Sequence, residues 1–127
     1  MCIRDRLLYE ENGVLGARSS FLITEEIEGK RLDEAIDQNT NIDLVVARIE
    51  SFFKRMNWIK FSHGDAKSSN FFYDKERLVT FDLDSSRKRY TNFLYRRAVL
   101  RDKKRIMKSL QDHKEVSLKL SNRLQGN

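Results

Sequence analysis

The apolar residues change their spacing at residue 58, and that change constrains the fold more than any other feature. From Ile42 the positions Val45, Val46, Ile49, Phe52, Phe53 and Met56 recur every three or four residues, which predicts one amphipathic helix reaching about Trp58. Asp43 falls in its first turn, where a negative charge meets the helix dipole favourably. The next stretch, 59–70, loses the helical period and reads as a loop carrying His63, Gly64 and Asp65. Two short apolar runs, Phe71 to Tyr73 and Leu78 to Phe81, follow on either side of the polar residues 74–77. They predict a β-hairpin, with Asp82, Leu83 and Asp84 just past its second strand.

Shorter elements flank this centre. Gly13 and Gly16 bracket a turn, and Ser20 to Ile27 reads as a short strand ending at Glu28 and Gly29. Residues 31–38 predict a short helix with Leu32, Ala35 and Ile36 on one face, stopped by Asn39, Thr40 and Asn41. A further helix is expected over 89–110, with Phe93, Leu94, Ala98, Val99, Ile106, Met107 and Leu110 inward, and one more over 113–124. The first six residues match nothing that follows and read as a fragment edge or an assembly remnant. The fold class expected is α+β and mainly helical.

Charge is distributed unevenly. Residues 1–84 hold 12 basic and 16 acidic side chains, whereas residues 85–127 hold 13 basic and 3 acidic. The net charge of +6 therefore belongs to the C-terminal third, which suits a phosphate-bearing partner: a nucleic acid, an anionic lipid surface or a phosphorylated glycan. The single Cys2 excludes an internal disulfide and any multi-cysteine zinc site, and two histidines 50 positions apart leave no His-rich metal box. No apolar run approaches the roughly 18 residues of a membrane span, and the N-terminus lacks the apolar centre of a signal peptide. An intracellular, reducing location is expected.

Three polar residues stand where the loop and the hairpin would bring them together: Asp65, Asn70 and Asp82. Phosphoryl transfer needs hard oxygen ligands to hold Mg²⁺ on the phosphates, and a group that orients the acceptor hydroxyl. A carboxylate, an amide and a second carboxylate meet those needs. The protein-kinase catalytic loop has the form His-x-Asp-x-x-x-x-Asn, followed after a hairpin by a metal-binding Asp. Residues 63–70, His-Gly-Asp-Ala-Lys-Ser-Ser-Asn, and then Asp82 have that order and spacing.

The run His-Gly-Asp-Ala-Lys-Ser-Ser-Asn-Phe-Phe at 63–72, with Leu-Val-Thr-Phe-Asp-Leu-Asp-Ser-Ser-Arg at 78–87, resembles the lipopolysaccharide kinases. That group, of Kdo, heptose and InaA types, shares the protein-kinase-like fold. The basic run Arg-Asp-Lys-Lys-Arg-Ile-Met-Lys-Ser-Leu at 101–110 is similar to the Arg-rich helix that closes those proteins. The resemblance spans about residues 20–110, although His-Gly-Asp also occurs in aminoglycoside and choline phosphotransferases.

The resemblance implies that Asp65 is the catalytic aspartate, that Lys67 neutralises charge on the transferred phosphoryl group, and that Asn70 and Asp82 bind Mg²⁺ beside ATP. It also implies that the backbone from Glu25 to Ile27 reads adenine at a hinge. Residues 1–19 would be a fragment edge and remnant of the N-lobe, and residues 20–127 the hinge and kinase-like C-lobe. No glycine-rich loop or phosphate-anchoring lysine stands ahead of the hinge, so the 127 residues alone are expected to be inactive. No Ala-Pro-Glu follows Asp82 either, which favours a small or glycan acceptor over a protein. The implied setting is a bacterial cytoplasm, at the inner membrane, with a monomeric kinase that uses no nucleic acid.

Plainer roles compete at several positions. His63 is expected to pin the loop by hydrogen bonding, not to act as an acid or base. Asp84 either binds metal or pairs with Arg87 or Lys88, and Lys67 either serves the phosphoryl group or is merely solvated. Phe52, Phe53, Trp58, Phe61, Phe71 and Phe72 are expected in the core. The basic stretch 87–108 is either a solvated helix face or a docking surface for an anionic membrane. A small-molecule kinase of the aminoglycoside or choline type, an inactive relative of the same fold and a basic nucleic-acid-binding module are the competing functions.

Overall fold

The computed structural model describes residues 6–13, 16–24, 29–38, 41–74 and 77–125, with 6–24 described for their backbone. Glu25 and Ile27, the expected hinge, lie outside the described residues. The fold is α+β and mainly helical, as a kinase-like C-lobe requires.

Strands β1 (Arg6–Gly13) and β2 (Gly16–Thr24) form an antiparallel hairpin whose closing pair is Gly13 and Gly16. Residues 14 and 15, where the turn between the two glycines was expected, lie outside the described residues; β1 was not expected, and β2 begins four residues before Ser20. Arg6, which was expected to stand outside the fold, is the first residue of β1.

Strand β3 (Lys30–Arg31) runs straight into helix α1 (Leu32–Asp37), which buries Leu32, Ala35 and Ile36. Helix α2 (Ile42–Ile59) starts where the Asn41 side chain accepts the Leu44 N–H at 3.2 Å. It stops at Lys60, whose left-handed φ of 52° turns the chain out of the helix. After strand β4 (Phe61–Ser62) the loop closes with a single 3₁₀ turn at Ser68–Asn70. Strands β5 (Phe71–Asp74) and β6 (Arg77–Thr80) make the expected hairpin and form a three-stranded sheet of order β3-β5-β6. Strand β7 (Arg87–Lys88) returns to pair with β4, so that Phe61 faces Lys88.

Two helices complete the chain: α3 (Asn92–Ser109), capped by the Thr91 hydroxyl, and α4 (Lys114–Gln125). The core is one cluster: Leu32 and Ile36 of α1, Val45, Val46, Ile49 and Phe53 of α2, Phe71 of β5, Ile106 of α3, and Val116, Leu120 and Leu124 of α4. Ala66 and Leu110 also belong to it, which places the middle of the loop in direct contact with packed apolar side chains.

Three expectations about packing fail. Trp58 is 83% exposed, because it falls on the side of α2 away from the Val45, Ile49 and Met56 stripe. Phe93 and Leu94 of α3 are also exposed; the inward face there is carried by Tyr95, Ala98, Asp102 and Ile106. No helix among the described residues is long and apolar enough to cross a membrane.

Candidate active site

The loop from His63 to Asn70 is built by its own backbone and by α3. Lys67 N–H donates to the Asp65 carbonyl at 3.0 Å, and Asn70 N–H to the Lys67 carbonyl at 2.9 Å. These two bonds curl the loop so that positions 65 and 70 meet. Gly64 has a φ of +87°, and a Cβ there would overlap the Ser85 carbonyl oxygen, so only glycine fits.

Helix α3 fixes the loop from below. The buried Asp102 carboxylate accepts the His63 N–H at 2.9 Å and the Gly64 N–H at 3.1 Å. The Ser109 hydroxyl accepts the Ser68 N–H at 2.8 Å, and the Arg105 guanidinium donates to the Gly64 carbonyl. Asp102 and Ser109 were not singled out from the sequence. A signal for Asp102 existed: it is one of only three acids in residues 85–127 and lies one turn from both Ala98 and Ile106 on the apolar face.

His63 is 1% exposed and pins the loop to the hairpin. Its Nδ1 accepts the Asp65 N–H at 3.4 Å, which leaves the ring proton on Nε2, 2.6 Å from the Thr80 hydroxyl. Thr80 in turn donates to the Asn70 carbonyl at 3.3 Å, so one relay links both ends of the loop. Burial holds the imidazole below its usual pKa, against the opposing pull of Asp102.

The expected site residues converge. Asn70 Nδ2 lies 3.1 Å from Asp65 Oδ2, 2.9 Å from the Asp65 carbonyl and 3.5 Å from Asp82 Oδ2. Lys67 Nζ lies 3.0 Å from Asp65 Oδ2. That hydrogen bond is the main reason the Asp65 carboxyl is held below its ordinary pKa, with Asn70 and Arg105 adding to it. Asp82 takes a left-handed φ of 55° immediately after the hairpin, which brings its carboxylate back toward Asn70. Asp84 is exposed, and no ion pair joins it to Arg87 or Lys88 among the described residues.

Among the described residues no group of three His, Cys, Asp or Glu side chains is placed to hold a metal ion. The pair formed by Asn70 and Asp82 instead suits Mg²⁺, which keeps several non-protein ligands and is commonly held by one or two protein oxygens together with substrate phosphates.

Comparison with curated proteins finds no match. Residues 4–123 match the family described as Lipopolysaccharide kinase (Kdo/WaaP) family, a longer span than the resemblance at 20–110 and one that takes in Arg4 to Arg6. With nearly the whole chain matched, the chain belongs to the lipopolysaccharide kinase family.

Proposed function

We propose that the site transfers the γ-phosphoryl group of ATP to a sugar hydroxyl of a lipopolysaccharide core. The observation that carries this reading is the convergence of Asp65 and Asp82 on the Asn70 amide. Asn70 and Asp82 would hold Mg²⁺, which supplies neutralisation of charge on the phosphates.

Asp65 orients the acceptor hydroxyl and takes its proton as that oxygen bonds to the γ-phosphorus and the bond from phosphorus to ADP breaks. Ionisation at neutral pH, favoured by Lys67, leaves Asp65 able to accept. Lys67 is half exposed, so its ammonium can swing from Asp65 to the transferred phosphoryl group. Kinship supports the lipopolysaccharide acceptor, and a cytoplasmic setting follows from the need for ATP.

Turnover is expected to require elements beyond the loop, because no glycine-rich phosphate loop or anchoring lysine precedes it within the 127 residues. The test is phosphate transfer from labelled ATP by the gene product carrying these residues, with Asp65→Asn and Asp82→Asn as variants. An active parent with two inactive, folded variants supports the reading. Retained turnover in either variant overturns it.

A further inference from the structure

The basic run at 101–110 ends in Ser109 and Leu110, a pair to which the charge of that run gives no use. Ser109 is the last residue of α3 and is flanked by the fully buried Ile106 and Leu110, so packed apolar side chains set its position. Its hydroxyl donates to the Ile106 carbonyl at 2.9 Å, which commits its one proton and leaves its lone pairs for a donor. The donor they meet is the Ser68 N–H, 2.8 Å away and 41 residues earlier in the chain.

Ser68 opens the 3₁₀ turn that ends in Asn70. The first N–H of such a turn has no partner inside it, and the residue ahead, Lys67, provides no side-chain cap. Ser68 is buried, so stranding that N–H would be costly. Helix α3 supplies the missing cap through Ser109. The hairpin holds the other end of the turn, where the Asn70 carbonyl accepts the Thr80 hydroxyl at 3.3 Å and the Phe81 N–H at 3.2 Å. Ser109 therefore fixes the end that the hairpin leaves free.

That end controls where the Asn70 side chain stands. Its Nδ2 lies 2.9 Å and 3.1 Å from two Asp65 oxygens but 3.5 Å from Asp82 Oδ2, the outer limit for a hydrogen bond. A small displacement of the turn separates Asn70 from Asp82 while its bonds to Asp65 survive. We propose that Ser109 is a positioning residue: from the end of α3, acting through the Ser68 backbone, it sets the turn so that the Asn70 amide reaches Asp82 as well as Asp65. Partners that orient a metal-holding side chain in this way commonly govern the affinity for the metal. The placement of Asn70 follows from the hydrogen bonds alone, and its effect on Mg²⁺ rests on the reaction proposed above.

A cap that merely stabilised would lower the unfolding temperature and leave Asn70 in place. The gene product that carries these residues is therefore compared with its Ser109→Ala, Ser109→Thr and Val116→Ala variants. Val116 is buried in α4, and its truncation lowers stability without touching the turn. The first readout is the nuclear magnetic resonance of the Asn70 side-chain amide, with neither metal nor nucleotide added. Ser109→Ala should move that resonance and speed exchange of the Ser68 N–H. Ser109→Thr, which keeps the hydroxyl, should leave both near the parent's values, and Val116→Ala should leave the resonance in place.

The second readout is the Mg²⁺ concentration that gives half-maximal phosphate transfer from ATP. Ser109→Ala should raise it about tenfold or more, the size of effect that losing such a support has on metal affinity, and Val116→Ala should not change it. An Asn70 resonance unmoved by Ser109→Ala overturns the proposal. So does an equal movement in Val116→Ala or Ser109→Thr, or a Mg²⁺ requirement that Ser109→Ala leaves at the parent's value. A parent without turnover sinks the reaction assigned to Asp65, and the Asn70 resonance then decides the role of Ser109 by itself.

Discussion

Asp102, midway along α3, accepts the backbone N–H of His63 at 2.9 Å, across 39 residues of sequence. The same carboxylate takes the Gly64 N–H at 3.1 Å, so one buried side chain sets the start of the loop from His63 to Asn70. Asp102→Ala leaves both donors without that acceptor, at about 1–3 kcal/mol for the buried His63 N–H and less for the half-buried Gly64 N–H. Denaturant unfolding should show that loss. Asp102→Asn, which keeps one acceptor oxygen, should fall between the alanine variant and the parent.

Gly64→Ala combines a positive φ with overlap of the Ser85 carbonyl. The loop cannot yield without breaking its bonds to Asp102, so a destabilisation of about 2 kcal/mol or more is expected. Thermal unfolding measures it. A neutral substitution would mean that the loop is not held as described.

His63 makes stability depend on pH in a definite direction. Its folded pKa lies below the ordinary 6.5, because burial disfavours the charged ring. The unfolded chain therefore takes up a proton first as pH falls, and the contribution of His63 is full above that ordinary value and lost below it. Unfolding free energy should decline as pH drops from about 7.5 to about 5.5, and His63→Gln should flatten that decline.

Lys67 is expected to control Asp65. The Asp65 pKa lies below its ordinary 3.8 mainly through the hydrogen bond from Lys67. A lowered carboxyl pKa favours the folded state above the ordinary value, and that contribution is lost as pH falls through the folded value. Lys67→Ala should move the Asp65 titration, followed by carbon NMR, upward toward the ordinary value. An unmoved titration would assign the shift to Asn70 and Arg105 instead.

The extent to which these features were legible in the sequence follows from the length of the signal each element carries. Helix α2 was readable because six apolar positions repeat its period, and the hairpin because its two runs flank a polar turn. Asp65, Asn70 and Asp82 were readable because their spacing is itself the motif, and the structure brings them together.

Trp58 and Phe93 were misplaced because hydrophobicity alone does not say which side of a helix the core occupies, and each sits off the buried stripe. Asp102 stood out as an acid on the apolar face of its helix, but its role was missed because its partners are backbone N–H groups 38 and 39 residues away, which the sequence does not name. Strand β1 was missed for lack of any alternation of polar and apolar residues in its eight positions.

The most direct test of the central claim is phosphate transfer from γ-labelled ATP, in the presence of Mg²⁺, by the gene product that carries these residues. Asp65→Asn should cut the rate by roughly 10²–10⁴-fold, the range a positioned base supplies. Asp82→Asn should abolish the turnover at every Mg²⁺ concentration, with both variants unfolding at the parent's temperature. Transfer at the parent's rate by folded Asp65→Asn protein would contradict the account.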